Sequence, residues 1–193
     1  MKPGKIVISV HSDFVWKVAR ITFVRRRRRR YYYGNLDNVV CVAEVLRSVM
    51  PRVRDKRIKF YFTTAEEESM AGAKEVMRRE GKALYIPIDV TQASKKADVN
   101  VEWPFNVNKK ELKRILARIK GFKIGFKTGH KDETQIYGKK YPTFSLNLPI
   151  EGNIHGKSCV SFYKARRFGR AVAEILKRVR MNYEKICMHD GNQ

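Results

Sequence analysis

The chain has 193 residues, 43% hydrophobic and 32% charged, with 42 Lys and Arg against 19 Asp and Glu and a net charge of +23. That composition belongs to a folded domain and excludes a disordered chain, while its apolar runs fall far short of the roughly 20 residues of a membrane span. Such basicity favours acidic partners, including nucleic acid, anionic lipid or acidic peptides, whatever fold carries it.

The N-terminus runs into KIVISV, a short apolar segment ending at His11 that suits a buried strand of a parallel sheet. It lacks the long apolar region and small-residue cleavage site of a signal peptide, so a cytoplasmic location is expected. VWKVARITFV reads as a second strand, and the run Arg25, Arg26, Arg27, Arg28, Arg29, Arg30 with YYYGN reads as a hairpin tip and return, placing a basic hairpin near 15–34. Apolar residues at Val39, Val42, Ala43, Leu46 and Val49 predict a helix over 38–50, ended by Pro51. RIKFYFTT predicts a strand, 70–79 a helix, and ALYIPIDV another strand. Residues 91–106 show no clear period and are expected to form loop. Then come a basic helix over 109–119, the strand GFKIGF, the loop TGHKDET, the strand TFSLNLPI, and a long helix over 163–180.

This alternation predicts an α/β fold: a three-layer sandwich with a largely parallel mixed sheet and helices on both faces. Residues 1–187 are expected to form a single catalytic-type domain, with 188–193 a disordered tail. Cys41, Cys159 and Cys187 are odd in number and far apart, so neither a disulfide framework nor a thiolate metal site is indicated.

Four candidate groups sit at or just beyond the C-terminal ends of predicted strands: His11, Glu66 with Glu67, Asp89, and the segment carrying His155. In an open α/β sheet binding sites form at that edge. Imidazole and carboxylate ligands suit zinc, cobalt or manganese, and a bridging carboxylate can hold two ions about 3.5–4 Å apart. Each group also has a structural reading. His11 alone would be a hydrogen-bonded core histidine, the run from Glu66 to Glu68 a solvated helix start, Asp89 a loop cap, and His155 a turn residue.

Five segments, in order, resemble the zinc-dependent aminopeptidases of clan MH, above all the glutamyl or TET-type enzymes and their leucyl-aminopeptidase relatives. VHSDFVW looks like the family's H-x-D motif, GNLDNVV like G-x-x-D-N, and TAEEESMAGA like E-E-x-G-x-x-G-A. YIPIDV looks like its strand-end aspartate, and LPIEGNIHG like its final proline-to-histidine segment.

The resemblance implies a metallo-aminopeptidase with two divalent ions, zinc first. It implies that His11 and Asp89 bind one ion, Glu67 and His155 the other, and Asp37 both, with Glu66 as general base on the attacking water. Asp13 would fix the His11 tautomer, and the Asp37–Asn38 peptide would be cis. Asp132 and His130 would face the substrate, Asp132 toward its α-amino group, and Tyr137 would help stabilise the tetrahedral intermediate. Cys41 and Ser69 stand where the family usually has glycine. Only 23 residues separate Asp13 from Asp37, where the family inserts a dimerisation domain.

The expected partners are a peptide substrate, nucleic acid through the basic surface, and further copies of the chain, but no membrane. The arginine run reads either as a solvated loop or as an electrostatic clamp for an acidic chain, with Tyr31, Tyr32 and Tyr33 available to stack on bases. The alternative function is a nucleic-acid-binding protein or an inactive paralogue on the same fold.

Overall fold

A computed structural model describes residues 4–13, 21–93, 95–127 and 132–187. The expectations for residues 15–20 of the hairpin and for the tail 188–193 lie outside them. A six-stranded sheet has the order β4-β1-β5-β8-β6-β7. β4 (Ile58–Thr63), β1 (Ile6–His11), β5 (Leu84–Thr91) and β8 (Thr143–Pro149) run parallel, whereas β6 (Val99–Phe105) is antiparallel to β8 and parallel to β7 (Ile124–Phe126). This is the mixed, mostly parallel sheet that the alternation of elements predicts.

β1 is buried along its whole length because both of its faces are covered. Ile6, Ile8 and Val10 join Leu84, Ile86, Ile88, Phe144, Leu146 and Leu148 in the larger core, under α1 (Val39–Glu44), α3 (Lys109–Leu116) and α5 (Phe162–Met181). Val7 and Tyr85 point to the opposite face and pack with α2 (Ala71–Glu80) and α4 (Thr134–Tyr137). α5 presents Phe168, Val172, Ile175, Leu176 and Val179 at helical spacing, and full burial of each such side chain contributes about 1.5–3 kcal/mol. Ser161 caps it by accepting from the Lys164 N–H at 3.2 Å.

A second, antiparallel sheet has the order β2-β3-β10-β9. β2 (Ile21–Arg26) and β3 (Arg29–Gly34) form the arginine hairpin, and β10 (Ser158–Ser161) and β9 (Glu151–Gly152) bring the chain back beside it. No helix among the described residues is long and apolar enough to cross a membrane.

Three expectations need correction. Residues 91–106 are not all loop, since β6 lies within them. Its alternate residues Asn100 and Glu102 are buried polar groups, and Pro104 weakens its strand signature. The helix over 38–50 is α1 followed by a wider π turn at Val45–Val49 and a 3-10 turn at Met50–Arg52. The widening falls where Glu44 accepts from the Ser48 hydroxyl at 2.6 Å and Gly169 of α5 closes against both. Finally, Asp132 and Glu133 lead into α4, whose Tyr137 is fully buried and stacked on Tyr85 with ring centroids 4.4 Å apart. Tyr137 is therefore a core residue and is not among those that line the candidate cleft.

Candidate metal centre

β4, β1 and β5 are neighbours, so their C-terminal ends lie side by side. His11 closes β1, Asp89 lies near the end of β5, and the turn after β4 carries Glu66 and Glu67. Asp37 arrives from the loop between β3 and α1, and His155 from the loop between β9 and β10. The Asp37–Asn38 peptide bond is cis, and the Asn38 side chain anchors that loop by donating to the Ile88 carbonyl at 2.7 Å. Gly72 holds the glutamate turn in place. A Cβ there would lie 2.6 Å from the Thr64 carbonyl oxygen, so only glycine lets the first turn of α2 close on that strand end.

Asp37, Glu66, Glu67, Asp89 and His155 line one cleft of roughly 360 Å³, with Met70, Val90 and Ile154 as its apolar walls, and His11 is buried beside Asp37 and Asp89. His11 Nε2 is 3.2 Å from Asp37 Oδ1 and 3.3 Å from Asp89 Oδ1. His155 Nδ1 is 3.7 Å from both Asp37 Oδ2 and Glu67 Oε2. Asp37 thus turns one oxygen to each histidine. Ligand atoms of His11, Asp37 and Asp89 all lie within 4.8 Å of one another, as do those of Asp37, Glu67 and His155 and those of His11, Glu66 and Glu67.

Asp13 Oδ1 is 3.5 Å from His11 Nδ1, on the side of the ring away from Asp37 and Asp89, and Asp13 Oδ2 accepts from the Glu67 N–H at 3.3 Å. One carboxylate therefore steadies both the histidine and the glutamate turn.

The charges do not balance. Burial by itself would lower the His11 pKa, but the Asp89 charge and the close carboxylates of Asp13 and Asp37 hold it well above the usual histidine range. Burial, then repulsion from Asp37, drives Asp89 well up. Glu66 is pushed up to about 8, first by burial and then by Glu67, Glu133 and Asp37, with His11 opposing the rise. Glu67 is raised by burial and by Asp37. His11 Nδ1, Asp37 Oδ1 and Glu67 Oε1 are buried with no hydrogen-bond partner. Four crowded carboxylates with unsatisfied buried oxygens suit cationic ligands, and this mixture of imidazole and carboxylate suits zinc, cobalt or manganese.

The other candidates lie elsewhere. Asp132 is 2% exposed and turned inward, accepting from the Thr134 N–H at 2.8 Å and from its hydroxyl at 2.5 Å, so it is not placed on the cleft wall. His130 is outside the described residues. The six arginines sit on the β2–β3 hairpin and are not among the residues that line the cleft.

Sequence reasoning missed Glu133. Fully buried, it accepts from the Ser9 hydroxyl and, at 2.6 Å, from the Thr63 hydroxyl, beneath the ends of β1 and β4. Burial raises its pKa. Its partners are 124 and 70 residues away in the chain, so no local spacing could have marked it.

No protein-family model matches the sequence, and no curated protein matches it. Solved structures do match its fold. A TET aminopeptidase from a marine-sediment Thaumarchaeota archaeon superposes with a TM-score of 0.68 at 13% identity, over 83% of this chain and 52% of that one. The TET1 peptidase of Pyrococcus horikoshii, which can assemble into a tetrahedron or a large octahedral shell, gives 0.64 at 15% identity, over 81% and 52%. Yeast aminopeptidase 1 gives 0.56 at 11% identity, over 86% and 51%. The chain has the α/β fold of these aminopeptidases and spans about half the length of each.

Proposed function

We propose that the protein is a metallo-aminopeptidase that uses two divalent ions, most naturally zinc, to remove N-terminal residues from peptides. The observation that carries this reading is Asp37, whose two oxygens face His11 on one side and His155 on the other, each within a separate group of ligand atoms. His11, Asp37 and Asp89 would hold one ion, and Asp37, Glu67 and His155 the other. Such a pair, when bound, lowers the pKa of an attacking water and polarises the scissile carbonyl.

The chain's own residues supply the rest. Glu66 lines the cleft beside Glu67 and takes the proton from the attacking water, then returns it to the leaving amine. Asp13, whose Oδ1 stands 3.5 Å from His11 Nδ1, favours a proton on that nitrogen and so leaves Nε2 to face Asp37 and Asp89. Met70, Val90 and Ile154 give an apolar wall for the N-terminal side chain. The oligomers named for the Pyrococcus horikoshii enzyme make a homo-oligomer part of this reading. The test is hydrolysis of a panel of aminoacyl and acyl-aminoacyl substrates before and after chelation. We expect turnover of free-amino substrates, its loss with chelator and its return with zinc, cobalt or manganese. Turnover indifferent to chelator would sink the proposal.

A further inference from the structure

We infer that the arginine hairpin binds single-stranded nucleic acid, through the face that carries Arg26, Arg29, Tyr31 and Tyr33. This inference does not depend on the metal centre.

The hairpin breaks two local preferences at once. Arg25 stands directly opposite Arg30, and Arg26 opposite Arg29, so like charges face each other in both pairs. Such pairs destabilise a sheet. Arg27 and Arg28 form the two-residue turn with φ of 43° and 65°, where Asn-Gly is the low-energy choice. β10 pairs only with residues 31–34, so the six arginines form a two-stranded tip projecting past the sheet. Among the described residues no carboxylate forms an ion pair with any of them. Charged residues on an edge strand commonly guard against aggregation, but that needs one or two charges, not six on both strands of a tip. A polyanion would relieve the repulsion that the fold leaves uncompensated.

The two faces of the hairpin differ. Phe23 and Tyr32 share one face, and Phe162 of α5 packs on it, stacked on Tyr32 with centroids 4.1 Å apart and edge-on to Phe23 at 5.6 Å, with Phe23 still 71% exposed. By strand alternation Arg26, Arg29, Tyr31 and Tyr33 share the other face, where Arg26, Arg27, Arg29 and Tyr31 line a shallow concavity. Guanidinium groups interleaved with aromatic rings match a strand whose phosphates need cations and whose bases offer π-faces. A duplex hides those faces, and an acidic peptide has none.

The experiment is fluorescence anisotropy on the full chain with a labelled uridine 20-mer, a thymidine 20-mer, a 20-base-pair duplex and a 20-residue poly-glutamate peptide, from 50 to 200 mM salt. Both single strands should bind best. With about five phosphate contacts at a slope near 0.7 each, affinity should fall roughly 100-fold across that range. Arg26→Gln with Arg29→Gln should reduce the slope by about 1.4. Tyr31→Ala should weaken binding about 5- to 100-fold and leave the slope unchanged, because it removes stacking and no charge. The RNA-to-DNA ratio assigns the kind of strand. Thermal melting checks that each variant is folded. Poly-glutamate binding as tightly as the single strands, a preference for the duplex, indifference to Tyr31→Ala in a folded variant, or no binding at 50 mM salt each overturns the inference.

Discussion

Asp37 and Glu66 divide the proposed chemistry between holding and reacting. Asp37, Glu67, Asp89, His11 and His155 offer ligand atoms within a few ångströms of one another, whereas Glu66 lies beside them with its carboxyl raised to about 8 by burial and neighbouring charge. Glu66→Gln is nearly isosteric and leaves the five proposed ligands in place. It should keep both ions and lower kcat by several orders of magnitude with little change in KM, since it removes a proton acceptor alone. Glu67→Gln should show the reverse order of damage, losing metal affinity first. Metal content and single-turnover kinetics on both variants decide the assignment. A fully active Glu66→Gln enzyme would mean that another group is the base. These residues were legible because each lies in a short segment with its own spacing. Glu133 was not, because only the parallel pairing of β1 with β4 brings Ser9 and Thr63 together above it.

Among the elements, α2 is tied to the sheet edge by one carboxylate near its C-terminal end. Glu80 accepts from Lys59 Nζ at 3.0 Å and from the Tyr61 hydroxyl, both on β4, and pairs with Lys5 Nζ at 2.8 Å just before β1. Burial alone would raise its pKa, but the bonds to Lys5, Tyr61 and Lys59 prevail and bring it down to about 2 from an ordinary 4.5. A carboxyl depressed by folding contributes stability that is complete above its unfolded pKa and is lost as the pH falls through the folded one. Thermal stability should therefore decline between about pH 4.5 and 2. Glu80→Gln should flatten that decline and cost on the order of 1–3 kcal/mol near neutrality. A Glu80→Gln melting profile parallel to the parent's across this window would show that Glu80 contributes nothing there. The strands β1, β5 and β8 were readable because burial on both faces makes them nearly continuous apolar runs, and the half-exposed edge strand β4 from its run of β-branched and aromatic residues. β6 was not, since its inward polar residues Asn100 and Glu102 serve a buried polar layer with Ser145 and Asn147, where a sequence reader expects water.

At the scale of the whole molecule, the parallel order of β4, β1 and β5 gathers residues from position 11 to position 155 at one sheet edge. The strand–helix alternation made the α/β layers legible. The second sheet was only half legible, because β9 and β10 are two and four residues long and β10 takes its partner from the hairpin. The central claim is that this edge holds two ions through a shared Asp37, and equilibrium metal titration of the chelated protein tests it most directly. We expect two zinc ions per chain, coupled so that Asp37→Ala weakens both, while Glu66→Gln still binds two. One ion per chain at saturation, or two ions whose affinities do not respond to Asp37→Ala, would contradict the shared centre.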